Sequence, residues 1–207
     1  MRADRRRRSL AALLALIAAG LAIDAGWIHA KAALAQTLLA RSWQAASEDG
    51  GVHRPWPWAD SHPVARLRMA RLGIEQIVLA GDSGRSLAFG PGWAPASAAP
   101  ATPGVTVISA HRDTHFTWLR ELNPGDVVEL DAPGRSRAYR IIDARIADSR
   151  HERLALDAHT DRLLLVTCWP FDAVTTGGPL RYIVEAQAVD RSEHQPDSGR
   201  HTLAQFP

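Results

Sequence analysis

Cysteine is almost absent from this chain: Cys168 is the only one among 207 residues. A lone thiol cannot close an internal disulfide, and it cannot build a thiolate metal site, which needs several sulfur ligands. Positive charge is also thin once its distribution is seen. Five of the 24 Lys and Arg residues crowd into the first eight positions, so the remainder is close to neutral. A nucleic-acid partner would need a basic face on the folded part, and none is supported. No dense acidic cluster is present, so neither a metal nor a cofactor is expected. No internal repeat argues for a solenoid or a propeller.

Long apolar runs are confined to one place. Arg2, Arg5, Arg6, Arg7 and Arg8 precede an apolar stretch from Leu10 to Ile23, and Asp24 is the first charge after it. Such a pattern directs a segment into the membrane with its positive end in the cytoplasm, leaving the rest of the chain outside. Its uncharged core is short for a full span, and Ala30-Lys31-Ala32 has the small-x-small form of a cleavage site. Apolar character resumes at Trp27 and Ile28, however, and an interfacial Trp is a usual anchor at a bilayer edge. The segment is therefore read as an uncleaved single-pass anchor of the inner (cytoplasmic) membrane. Leu34, Leu38, Leu39 and Trp43 then recur at helical spacing, which predicts a helix leaving the membrane to lie against the folded domain.

These patterns divide the chain into an Arg-rich tip and anchor over 1–30, a juxtamembrane helix and linker over 31–60, a catalytic domain over 61–190 and a loose tail over 191–207. In the linker, the indoles of Pro55-Trp-Pro-Trp58 are expected to pack into a groove on the domain. Val64, Leu67 and Met69, then Ile74, Ile77, Val78 and Leu79, predict two strands with a turn at Gly73. Ser83 to Gly104 is rich in Gly, Pro and Ala and reads as a covering loop with at most one helical turn. Further strands are expected over Val105–Ala110, Asp126–Leu130, Arg137–Ile142, Leu163–Val166 and Leu180–Ala186, with Arg145 to Leu156 as a crossing connection. About eight short strands with few helices make the fold all-β, a barrel or a sandwich.

Three polar groups stand at strand ends: His111 after one buried strand, Cys168 after another, and Arg181 at the start of the next. If the last two strands form an antiparallel pair, Cys168 and Arg181 face one hollow. A buried free cysteine is often only a small hydrophobe. An unpaired thiol in an oxidising compartment is a liability, however, which favours retention for reactivity. Acyl transfer asks for these residue types. A thiolate attacks a carbonyl, an imidazole returns a proton to the leaving amine, and a fixed cation stabilises the oxyanion.

Ser109-Ala-His111-Arg-Asp113-Thr-His-Phe, Pro124-Gly-Asp126 within Leu119–Leu130, Val166-Thr-Cys168 and the strand-initial Arg181 together resemble the sortases, cysteine transpeptidases of bacterial surfaces. The resemblance covers roughly residues 64 to 187. It departs from the family's Thr-Leu-X-Thr-Cys at Leu164, which stands where the first Thr is common. It implies an eight-stranded β-barrel, with Cys168 as the thioester-forming nucleophile, His111 as general acid and base, and Arg181 as the oxyanion stabiliser. It also implies an exported protein substrate with a C-terminal Leu-Pro-X-Thr-Gly-like sorting signal and a cell-surface amine acceptor. The N-terminal anchor and Pro55-Trp-Pro-Trp58 are similar to the sortases of Gram-negative bacteria.

The loop from Trp169 to Pro179 should wall the substrate cleft, with Thr167, Trp169, Phe171 and Val174 as substrate contacts. Phe171 and Val174 have the alternative of packing beneath that loop. Asp113 has two uses, orienting His111 or capping the next helical turn, and His115 competes with His111 for the imidazole role. Two other functions remain open on the sequence. One is a cysteine peptidase of the hydrolase class with water as acceptor; the other is a non-catalytic barrel that binds a surface polymer or partner.

Overall fold

The computed structural model describes residues 27, 30–175 and 177–189. Its eight strands are β1 (Pro63–Met69), β2 (Ile74–Ala80), β3 (Gly92–Trp93), β4 (Val105–Ser109), β5 (Val127–Ala132), β6 (Arg135–Asp148), β7 (Arg162–Cys168) and β8 (Leu180–Ala188). They close into one barrel in the order β1-β2-β3-β4-β7-β8-β6-β5. Closure leaves no unpaired strand edge to invite aggregation.

Alternation along the strands builds the core. Ala65, Leu67 and Met69 of β1 point inward with Val128 and Leu130 of β5, Tyr139 and Ile141 of β6, Leu163 and Leu165 of β7, and Val184 and Ala186 of β8. Successive side chains of a strand point to opposite faces, so one apolar parity fills the barrel. Phe116, Trp118, Leu119 and Leu122 come from the segment after β4 and its 3₁₀ turn, Thr117–Glu121, and close one end of the same core. Gly73 turns β1 into β2 at φ 64, a left-handed value that a residue without Cβ adopts at no steric cost.

A second apolar cluster lies on the outside of the same wall: Val105 and Val107 of β4, Leu164 of β7, Ala147 of β6 and Ile183 of β8. Leu154, from the β6–β7 connection, and Ala94 pack on it. β7 is thus covered on both faces, which is why its sequence is a continuous aliphatic run rather than an alternating one.

Helix α1, residues 30–49, precedes the barrel. It buries Leu39, Trp43 and Ala46, while Gln36 Nε2 donates to the Phe89 carbonyl at 2.9 Å. The Arg-rich tip, the apolar stretch to Ile23 and the 191–207 tail lie outside the described residues. Among the described residues no helix is long and apolar enough to cross a membrane.

Three expectations need correction. The Ser83–Gly104 stretch contains the short helix α2 (Gly84–Leu87), but also β3, which runs parallel to β2 and antiparallel to β4 and so completes the barrel. Two residues are too few to show a period. Arg145 does not begin a crossing, because β6 continues to Asp148 in register with β8. Of the linker indoles, Trp56 packs edge-on against Phe89 at 5.2 Å, whereas Trp58 is 79% exposed.

Candidate active site

The site is set by register. β4 and β7 run parallel with Ser109 opposite Val166, and the ladder continues one residue further as Ala110 N–H donates to the Val166 carbonyl at 3.1 Å. Two residues beyond each partner of that pair come His111 and Cys168. β7 and β8 are antiparallel, with Cys168 directly opposite Arg181. Cys168 and Arg181 therefore stand level on adjacent strands, and His111 lies two residues past the end of β4, the strand on the other side of β7.

They also share a face. Ala110 and Thr167 are buried inward, so their successors His111 and Cys168 turn outward, as does Arg181 two places before Ile183 of the outer cluster. The thiol is thus not sealed in the barrel: Cys168 is partly exposed, at the end of the strand whose outer face carries the second apolar cluster. That face ends, six residues before Cys168 along β7, in a cavity of about 240 Å³ lined by Val105, Leu154 and Leu164 and rimmed by Arg145, Arg162 and Glu185. Arg162 pairs with Glu185, and Arg145 with Glu152. A cavity of about 460 Å³ under Trp56, Leu39 and Phe89 contains none of the three residues.

Arg181 is partly committed. Its Nη1 donates to the carbonyls of Gly178 at 2.7 Å and Leu180 at 2.9 Å, which fixes the guanidinium. Among the described residues Nε and Nη2 take no partner, so two donors of a preorganised cation remain for an incoming oxygen. His111 is exposed, with its carbonyl accepting from Phe116 N–H at 3.0 Å. His115 is lowered from its usual 6.5, first by burial and then by the His111 charge. It sits with its carbonyl taken by Gln76 Nε2 at 2.7 Å and Trp118 Nε1 at 2.7 Å.

Not every expected contact is made. The Thr167 side chain is 2% exposed and donates to the Ala110 carbonyl at 2.7 Å, so it points into the barrel and is not open to a substrate. Its bond ties the chain segments that carry Cys168 and His111. Trp169 continues the inward parity of Thr167 and stacks on Tyr182 at 5.6 Å, with Phe171 edge-on to both. Phe171 and Tyr182 pack against the barrel core, so Phe171 takes its alternative place beneath the loop. Val174 is 100% exposed at the loop's tip. Asp113 neither orients His111 nor caps a turn; its Oδ1 accepts from Arg112 Nε at 3.1 Å.

Arg112 and Tyr182 were not anticipated. The signal for both was parity: each falls on the inward side of a strand or its extension, where a charged or large aromatic residue needs partners. Among the described residues no three His, Cys, Asp or Glu side chains converge as a metal site would require.

A closed barrel with a partly exposed thiol, an imidazole and a half-committed guanidinium at the ends of neighbouring strands has the layout of a cysteine acyltransferase. A profile described as a sortase domain matches residues 67–189. Sortase D of Bacillus subtilis (strain 168) is 31% identical over 124 residues, which are 59% of this chain and 62% of that protein. The chain thus spans less than two thirds of its curated relative. In fold it is similar to a sortase D5 transpeptidase of Clostridium perfringens, with TM-score 0.61 at 19% identity over 76% of this chain and 99% of that one. It is likewise similar to sortase A of Corynebacterium diphtheriae, with TM-score 0.59 at 20% identity over 80% and 88%. The chain belongs to the sortase family, a family of cysteine transpeptidases.

Proposed function

We propose that this protein is a membrane-anchored transpeptidase that cuts a C-terminal Leu-Pro-X-Thr-Gly-like sorting signal and passes the new carboxyl end to an amine. The observation that carries the reading is Cys168 paired with Arg181 across β7 and β8, with His111 just past the end of the parallel neighbour β4. The Cys168 thiolate adds to the Thr carbonyl carbon, and the carbonyl electrons move onto oxygen, where Arg181 Nε and Nη2 receive them. Collapse breaks the C–N bond, and the departing amine takes a proton from the His111 imidazolium. A thioester remains. An acceptor amine then gives a proton to neutral His111, adds to the thioester carbonyl and expels the thiolate, which restores the starting state. Holding the donors in place beforehand spares the cost of reorganising them as charge develops.

Transfer to an amine makes the enzyme a transferase; transfer to water would make it a cysteine hydrolase. The Arg-rich tip and apolar stretch before α1 support anchoring in the inner membrane with the barrel on the outer side. Cys168→Ala is the test. It should abolish cleavage of a Leu-Pro-X-Thr-Gly-like peptide while thermal stability is kept, and wild-type enzyme given a primary amine should yield the amine-bearing product. Full cleavage by the variant would reject thiol catalysis, and a product that never carries the amine would reject transfer.

A further inference from the structure

Arg112 is a buried charged side chain of the site region that the mechanism does not use. It is 6% exposed. Its guanidinium reaches across to the β7–β8 loop, where Nη1 donates to the Pro170 carbonyl at 2.8 Å. Nη2 donates to Ala173 at 2.8 Å and Thr175 at 3.0 Å. Nε is taken by Asp113 Oδ1 at 3.1 Å. Four of the donor contacts open to a guanidinium are thereby used, which leaves it unsuited to receiving an oxyanion as well.

Residues 170–175 have little else to hold them, since Ser149 and Arg181 tie only the far end of the loop, at the Pro179 and Gly178 carbonyls. Ala173 N–H donates to the Pro170 carbonyl at 3.3 Å, inside the loop. Arg120 and Asp172 approach to 3.6 Å, but both side chains are largely in water, where such a pair holds weakly. Phe171 is its apolar root. A buried guanidinium surrounded by three carbonyl oxygens and one carboxylate is costly to remove, because each partner would be left without its donor. The planar fork serves acceptors spread over six residues, a spacing that a single ammonium point charge does not span.

We infer that Arg112 is a positioning residue: by fastening residues 170–175 it fixes the loop that follows Cys168, and so holds the peptide in register with the thiol. The inference rests on the transpeptidase reading. It couples the two halves of the site through one side chain, since Arg112 directly follows His111 and its carbonyl acceptors lie two to seven residues after Cys168. Arg112 acts through the loop, so its loss weakens peptide binding more than the chemical step.

The experiment uses the full chain in detergent micelles, with Arg112→Gln, Arg112→Lys and Cys168→Ala beside wild type. Readouts are kcat and KM for a fluorogenic Leu-Pro-Ala-Thr-Gly peptide, thermolysin cleavage within 169–179, and the alkylation rate of Cys168 by iodoacetamide. Arg112→Gln should raise KM about tenfold with kcat within about threefold, a loss of binding shared by ground and transition states. The loop should become cleavable while the alkylation rate stays within about twofold, and Arg112→Lys should lie between. An unchanged KM with a loop as resistant as wild type overturns the inference. So does a kcat reduced to the Cys168→Ala background at unchanged KM, because that would put Arg112 in the chemistry. If the Gln variant does not fold, the Lys variant is judged by the same criteria. Wild type no more active than Cys168→Ala rejects the transpeptidase reading instead; loop fastening then stands or falls on the thermolysin comparison alone.

Discussion

Replacing Thr167 by Val tests whether the seam between β4 and β7 sets the catalytic geometry. The two side chains have nearly the same shape, so no cavity forms and what is lost is one hydroxyl donor. Thr167 is 2% exposed and gives its proton to the Ala110 carbonyl at 2.7 Å. Leaving a buried carbonyl without that donor costs about 1–3 kcal/mol. For a domain of this size that corresponds to a fall in melting temperature of roughly 5 °C. Ala110 precedes His111 and Thr167 precedes Cys168, so relaxation of the bond moves imidazole and thiol relative to each other. A displacement of 1 Å can cost about 10²-fold in rate, and a partial shift about tenfold in kcat/KM. Thr167→Ser is the control. It keeps the hydroxyl and loses a buried methyl, at about 0.8 kcal/mol, so it should be destabilised yet close to wild type in turnover. Calorimetry and peptide-cleavage kinetics on the three proteins separate the effects. Full kcat/KM in the Val variant, or equal losses in Val and Ser, would refute the proposed link between seam and site.

Arg181→Lys keeps a positive charge but loses the fork that donates to Gly178 and Leu180 and leaves Nε and Nη2 free among the described residues; on the proposed mechanism kcat should fall about 10²–10³-fold with little change in melting temperature. Gly92→Ala should be among the most damaging single changes away from the site. A Cβ there would lie 2.3 Å from the Gly81 carbonyl oxygen and 3.0 Å from Asp82 Cα, both backbone atoms that cannot step aside. A loss of about 3 kcal/mol or more is expected, read by thermal or urea unfolding. His115 is held neutral by burial and by its neighbour His111, which lowers it from the usual 6.5. Its contribution to stability is therefore whole above the unfolded value and is lost as pH falls through the depressed one. His115→Gln should flatten melting temperature against pH below about 6.5; a slope identical to wild type would show that His115 does not govern it.

The parts of the fold most legible in the sequence are those where one physical rule acts alone. β1 alternates cleanly and meets the Ile- and Val-containing β2 at a glycine that the turn needs, so both strands and Gly73 are legible directly. β4, β7 and β8 show as aliphatic runs, and their ends carry the polar residues that define the site. β6 was cut short because its second half, from Asp143 to Ile146, is largely solvent-facing and dilutes the pattern. β3 is specified by space rather than by propensity: its Gly92 is needed because β2 and the segment after it come too close for any side chain. The role given to Thr167 failed for a related reason. Adjacency to Cys168 suggested a shared surface, whereas in a strand adjacency means the opposite face.

That same alternation explains why the barrel can carry a reactive thiol without losing stability. The inward parity of β7 is Leu163, Leu165 and Thr167, and its two leucines fill the core with their neighbours on β4 and β8. The outward parity, Leu164, Val166 and Cys168, contributes nothing to that interior, yet its first two members are apolar and packed in an outer cluster. An outward aliphatic row on a solvated barrel wall costs free energy unless something covers it. Leu154 and Ala94 cover part of it, between the cavity rimmed by Arg162 and Glu185 and the residues around Cys168. On this view the core and the outer cluster are coded by alternate residues of one strand, and substitutions at the fully buried Leu163 or Leu165 should lower the melting temperature more than the same substitutions at Leu164 or half-buried Val166.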